Sequence, residues 1–168
     1  MRTARAIAMY ARDHALIATP IGAIRIEGDD AQLHRIMILA DGDTERCGGA
    51  GAVRRGAEQI AQWLAGERTD FDVPLAPATT PRGAAMRAGL VSIEYGMTIS
   101  YGMLAHQIGS SARAIGQACA RNPFPIVVPC HRVLGAGGAL GHYSAGDGPA
   151  TKLWLLDHER HHARGTLL

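Results

Sequence analysis

The residues best suited to chemistry are Cys130 and His131, within the run Ile126-Val127-Val128-Pro129-Cys130-His131-Arg132-Val133. A free thiol has a pKa near ~8.5 and needs a proton acceptor to act as a nucleophile at neutral pH. An imidazole can be that acceptor. Pro129 removes one backbone donor and favours an extended chain before the thiol. On an extended chain adjacent residues point to opposite sides, so the spacing predicts a water bridging Cys130 and His131. A third group comes from the C-terminal end. Lys152, Leu155, Leu156 and Glu159 share one helix face by their i, i+3, i+4 and i+7 spacing. A carboxylate on a packed face requires a partner, and His131 is the natural one. A carboxylate that orients an imidazole beside a nucleophile follows the logic of a catalytic triad. The plainer readings are a Cys130 packed as a small hydrophobe at a strand end and a Glu159 that reaches solvent.

Cys119, inside a helical run of alanines, is expected to be packed, and Cys47, in a polar glycine-rich loop, to be an exposed thiol. Three cysteines without a Cys-x-x-Cys pair argue against a disulfide framework and against a cysteine-rich zinc site. They suit a reducing cytoplasm. His158-Glu159-Arg160-His161-His162 satisfies His-Glu-x-x-His, the zinc-protease pattern on a helix. Only six residues follow it, leaving no room for a downstream third ligand, and it competes with the cysteine for Glu159. The alternative is a cationic cluster suited to a helix C-terminus.

The elements that must hold these groups come from periodicity. The chain has 168 residues, 47% hydrophobic and 19% charged, enough for one domain or two small ones and far from the composition of a disordered chain. No apolar run approaches the ~20 residues that span a bilayer, and residues 1–15 lack the apolar core of a secretory signal. Net charge is +2, with basic residues in excess over residues 101–168, where six of the eight histidines also lie. That permits nucleic-acid contact without proving it. Two strands joined by a tight turn and a third near 33–39 are expected in residues 14–40. A loop follows over 41–51. Val53, Ala57, Ile60 and Leu64 predict an amphipathic helix ending near Gly66. A proline-rich linker over 70–82, holding one short strand, puts the boundary between residues 1–76 and 77–168. Beyond it, Thr80 and Pro81 start a helix with Met86, Leu90 and Ile93 inward. A helix over 101–108 stopped by Gly109, followed by one over 112–120 capped by Ser110 or Ser111, has the helix-turn-helix pattern. Residues 122–134 are expected to be buried and extended, 135–148 to be a glycine-rich loop, and 149–162 a final helix.

Asn122-Pro123 followed by Ile126-Val127-Val128-Pro129-Cys130-His131-Arg132-Val133 resembles the signature of the 6-O-alkylguanine-DNA alkyltransferases. Ser100-Tyr101-Gly102-x-Leu104-Ala105, Ala112-Arg113-Ala114-Ile115-Gly116, Gly141-x-Tyr143-Ser144-x-Gly146 and Leu155-Leu156-x-x-Glu159 agree with it in order and spacing. The resemblance covers roughly residues 96–159, and Thr19-Pro20-Ile21-Gly22 extends it more weakly. It implies an α/β (α+β) protein with a small ribonuclease-H-like N-terminal β-sheet domain and a helical C-terminal domain carrying a helix-turn-helix. It implies direct, single-turnover repair of alkylated guanine, with double-stranded DNA as partner, no membrane, no cofactor, no metal and a monomeric state.

By the same resemblance, Cys130 attacks the alkyl carbon, His131 takes the thiol proton through a water and Glu159 orients His131. Asn122 braces the turn before the cysteine. Tyr143 donates to the leaving base, the Ser144 amide meets the guanine oxygen, and carbonyls near Cys130 and Val133 accept from its exocyclic amine. Arg113 fills the gap left by a flipped nucleotide, Tyr101 helps rotate it, and Ala112, Ala114 and Gly116 allow close approach in the minor groove. A lesion sensor of the same fold, or a dealkylating protein acting on a non-duplex substrate, is the alternative. The chain departs from the family pattern at Arg82 and Arg87, where aromatics are usual. The expected consequence is weaker packing between the two domains, with the chemistry left intact.

Overall fold

A computed structural model describes residues 12–40 and 45–165. The expectation about a secretory signal, and part of the 41–51 loop, fall outside the described residues. The chain divides into two compact units, Met1–Ala76 and Pro77–Leu168.

In the first unit, β1 (Asp13–Thr19), β2 (Gly22–Gly28) and β3 (Leu33–Leu39) form an antiparallel sheet in chain order. The β1–β2 turn needs Gly22, whose φ is +105° and whose Cβ, if present, would stand 1.9 Å from the Leu39 carbonyl oxygen. Ile24 and Ile26 alternate inward on β2 and are buried with Leu33 and Ile36 of β3. The helix α1 (Gly51–Leu64) packs on this sheet. Its buried seam differs from the predicted one. Val53 and Ile60 are buried as expected, but Gly56 and Trp63 complete the seam while Ala57 and Leu64 are only half-buried. Gly56 decides this: a Cβ there would meet a Leu33 methyl at 2.8 Å, so the helix comes closest at that point. No side chain of the N-cap Ala50 serves the first turn. Asp13 accepts from the amides of Gly49 and Ala50 and Asp30 from that of Gly51, so acids from elsewhere satisfy the start of the helix.

The second unit follows the capping signals closely. Thr80 accepts from the Gly83 amide and Pro81 opens α2 (Pro81–Val91). Met86, Leu90 and Ile93 are buried. Ser100 caps α3 (Tyr101–Ile108), left-handed Gly109 ends it, and Ser111 caps α4 (Ala112–Ala120). Two short strands, β4 (Ile99–Ser100) and β5 (Val133–Leu134), pair in parallel. Two-residue strands carry no periodicity from which such a pairing could be read. It pins the chain just after Cys130 and His131 beside the start of α3. The last helix, α5 (Pro149–Gly165), runs past the predicted end at 162. Arg87 lays its guanidinium over the Phe124 ring within this unit, 5.2 Å from the centroid.

Candidate active site

The segment entering Cys130 departs from the extended chain that its prolines and β-branched residues predict. Over residues 122–132 the chain turns repeatedly. Ile126 is left-handed at φ +73°, a strained conformation for a β-branched residue that needs surrounding support. Asn122 supplies it. Its Oδ1 accepts from the Phe124 amide at 3.0 Å and its Nδ2 donates to the Val128 carbonyl at 2.8 Å. Pro129, at φ −82° and ψ 62°, is the centre of an inverse γ-turn closed by Cys130 N–H to the Val128 carbonyl. Cys130–Arg132 then form one turn of 3₁₀ helix. The side chains of Cys130 and His131 therefore do not alternate as they would on a strand.

Asn122 also reaches the sulfur, with Nδ2 3.2 Å from Cys130 Sγ. Cys130 is only 4% exposed. Its thiol is held below the ordinary value: hydrogen bonding from Cys119 is the largest influence, burial opposes it, and Asn122 lowers it further. Cys119 is pushed well above its ordinary value by the same pairing and by burial. Of the two thiols, Cys130 is the more acidic. The expectation that Cys119 is a mere packing residue is thus incomplete.

His131 and Glu159 are both fully buried, and His131 Nε2 lies 2.7 Å from Glu159 Oε1. Burial raises the Glu159 carboxyl, but His131 and then Arg132 outweigh it and hold the group at about 2. Burial lowers the His131 imidazole, against the pull of Glu159. The helix-face prediction for Lys152, Leu155, Leu156 and Glu159 holds, since all four are buried. Arg132 joins the site without any signal in the spacing. Its Nε and Nη2 form a fork on the Glu159 carboxylate at 2.9 and 2.8 Å, and its Nη1 donates to the Ile93 carbonyl. By position in the chain alone it is indistinguishable from a surface arginine. Only the 3₁₀ turn sends two successive side chains toward α5. Because Glu159 is committed to His131 and Arg132, the His-Glu-x-x-His reading loses its general base. Among the described residues no group of three His, Cys, Asp or Glu side chains could hold a metal ion.

A cavity of about 560 Å³ opens in front of Cys130. Tyr101, Ala112, Arg113 and Gly116 line it from α3 and α4, and Tyr143 and Ser144 from the glycine-rich loop. Gln117, Cys119, Ala120 and His142, which the sequence does not single out for it, also contribute. Ala114 is not among the lining residues. Tyr143 is buried, its hydroxyl has no hydrogen-bond partner among the described residues, and burial raises its pKa well above the ordinary value. Lys152 is fully buried and donates to the Val133 carbonyl at 2.7 Å.

This arrangement can present a thiol of lowered pKa to a ligand in a cavity, with a phenol beside it and a buried imidazole–carboxylate pair behind it. A sequence model described as "6-O-methylguanine DNA methyltransferase, DNA binding domain" matches residues 84–161. A methylated-DNA–protein-cysteine methyltransferase of Mycolicibacterium paratuberculosis is 38% identical over 165 residues, covering 92% of this chain and 96% of its own. The chain belongs to the methylated-DNA–protein-cysteine methyltransferase family. The mouse (Mus musculus) member is 33% identical over 87% of this chain and 80% of its own. Among solved structures, the Mycobacterium tuberculosis OGT in complex with DNA has a TM-score of 0.75 at 36% identity, covering 88% of this chain and 92% of its own. The O6-methylguanine methyltransferase of the same organism has a TM-score of 0.74 at 35% identity, covering 89% of this chain and 94% of its own. Membership covers both units, so the weak N-terminal resemblance carried by Thr19-Pro20-Ile21-Gly22 belongs to a family-wide fold.

Proposed function

We propose that the protein repairs 6-O-alkylated guanine in DNA by moving the alkyl group irreversibly to Cys130. The observation that carries this reading is the placement of Cys130, a thiol with lowered pKa, against the cavity with the His131–Glu159 pair behind it. The sulfur attacks the alkyl carbon in line, the carbon–oxygen bond breaks, and its electron pair stays on the guanine oxygen. His131, with Nε2 given to Glu159, takes the thiol proton at Nδ1 through a water. Asn122 steadies the sulfur. The Tyr143 hydroxyl, kept protonated by burial, donates to the departing base, and the Ser144 amide meets its oxygen. The Val133 carbonyl can serve both Lys152 and the exocyclic amine, since a carbonyl oxygen accepts two bonds. The product is a thioether, which thiol exchange does not reverse. Each molecule therefore acts once, with no cofactor or metal.

In a duplex the reacting atom is stacked and paired, so the nucleotide must leave the helix to reach the cavity. The pair α3 and α4, with its turn at 109–111, is the DNA-binding motif in this reading. Ala112, Ala114 and Gly116 are small enough for close approach in the minor groove, and exposed Arg113 enters the vacated stack. Tyr101, on the cavity wall, helps rotate the lesion. The protein acts as a monomer in the cytoplasm, on the DNA there. Among the described residues no helix is long and apolar enough to cross a membrane.

The experiment is incubation with a duplex carrying one 6-O-methylguanine, followed by peptide mass mapping. The peptide of residues 122–132 should gain one methyl. Retention on the DNA with unchanged mass would instead indicate a sensor, and no response would favour a non-duplex substrate. Arg113→Ala should slow transfer from duplex by about tenfold or more, while attack on the free alkylated base stays within about twofold. Equal slowing on both substrates would remove Arg113 from the flipping step.

A further inference from the structure

Two cysteines, not one, face the cavity. Cys119 lies in the last turn of α4 and is half-buried, and it lines the same wall as Cys130. The two side chains act on each other directly, each being the largest influence on the other's ionisation. Cys47, the remaining thiol, is exposed in the other unit. A thiol of lowered pKa that faces a cavity is open to small oxidants as well as to an alkyl group. The fate of the first oxidation product is set by whether a second thiol is at hand. Without one, it goes on to an irreversible acid. With one, it closes to a disulfide that reductants reopen.

We propose that Cys119 is a resolving thiol, and that Cys119 and Cys130 form a reversible disulfide when a small two-electron oxidant such as hydrogen peroxide enters the cavity. In the first step the Cys130 thiolate attacks one peroxide oxygen. A sulfur–oxygen bond forms, the oxygen–oxygen bond breaks, and hydroxide leaves. Cys119 then attacks the Cys130 sulfenic sulfur and loses its proton, and water departs as the sulfur–sulfur bond forms. Overall two thiols and one peroxide give one disulfide and two waters. The sulfurs must close to about 2.05 Å. Cys119 can supply that movement because it is the penultimate residue of α4, where helices fray. The disulfide occupies the acceptor and withholds it from alkyl transfer. A dithiol returns it. The bond would protect the residue in a protein that uses its cysteine once.

The test uses the full chain in a Cys47→Ser background. It is treated with hydrogen peroxide, quenched with iodoacetamide and cut with trypsin. Cleavage after Arg113, Arg121 and Arg132 places Cys119 in residues 114–121 and Cys130 in residues 122–132. The expected result is these two peptides joined, lighter by two hydrogens, with Cys130 again open to iodoacetamide after dithiothreitol. In Cys119→Ser, Cys130 should gain two oxygens, and dithiothreitol should recover about a tenth or less of its labelling. Cys119→Ala repeats the comparison, and the joined peptide in the parent does not depend on either variant folding. The proposal is overturned if the parent yields no joined peptide and its Cys130 becomes sulfinic acid as fast as in Cys119→Ser. None of these readouts uses alkylated DNA, so the result stands apart from the assignment of the repair reaction.

Discussion

Cys130→Ala should abolish alkyl transfer while leaving the fold and lesion binding in place. The substitution removes the only atom that bonds to the alkyl carbon in the proposed reaction, so the rate should fall by at least about 10⁴-fold, to the uncatalysed background. Little else should change. Asn122 loses the sulfur but keeps the Val128 carbonyl and the Phe124 amide, which are the contacts that support the strained turn at Ile126. The change deletes one buried heavy atom from a site that borders an open cavity, so a cost of about 1 kcal/mol or less is expected. Binding to a duplex with one 6-O-methylguanine should stay within about threefold, because the proposed contacts of Arg113, Tyr101 and Tyr143 remain. Stopped-assay mass mapping and a binding titration check both halves. Methyl appearing on residues 114–121 would show that Cys119 can replace Cys130. Methyl transfer at the parent rate would sink the assignment of the nucleophile.

How much of the molecule is legible in its sequence depends on how local each signal is. The caps of α2 and α4 depend on a hydroxyl three residues before an amide, and Thr80 and Ser111 supply it as the pattern requires. Glu159 is legible because helical spacing alone puts it beside Leu155 and Leu156. Its meeting with His131 then needs only that the packed face find a partner. The approach to Cys130 is not legible in this way. Its proline and β-branched residues favour an extended chain, yet Asn122 reaches forward to Phe124 and Val128 and holds a turn that propensity opposes. The roles of Arg132 and Cys119 depend on that turn and are hidden with it. The seam of α1 is misread for another reason. Gly56 carries no hydrophobic signal, but its lack of a side chain lets Leu33 approach and fixes which face turns inward.

Glu159→Gln should give the largest loss of stability of any single substitution at the site. Glu159 is the counter-charge for buried Arg132 and the partner of His131, and it also accepts from the Gly96 amide at 3.2 Å. An amide fills the same space but leaves the guanidinium without an anion. The carboxyl sits at about 2 in the folded protein against 4.5 for an ordinary glutamate. A depressed carboxyl stabilises the fold at pH values above the unfolded pKa. That contribution declines as pH falls from about 4.5 to about 2 and is gone below. Converted at 1.36 kcal/mol per pH unit, the difference is about 3 kcal/mol at neutral pH. Urea unfolding of parent and variant should therefore differ by about that much at pH 7, and the two should converge as pH approaches 2. Transfer should also slow by about a hundredfold at pH 7, because His131 loses the anion that orients it and stabilises its protonated form. If the two proteins show the same dependence of stability on pH, Glu159 is not the group that couples acid to unfolding. If transfer keeps its parent rate, the buried pair supports the fold alone and another acceptor takes the thiol proton.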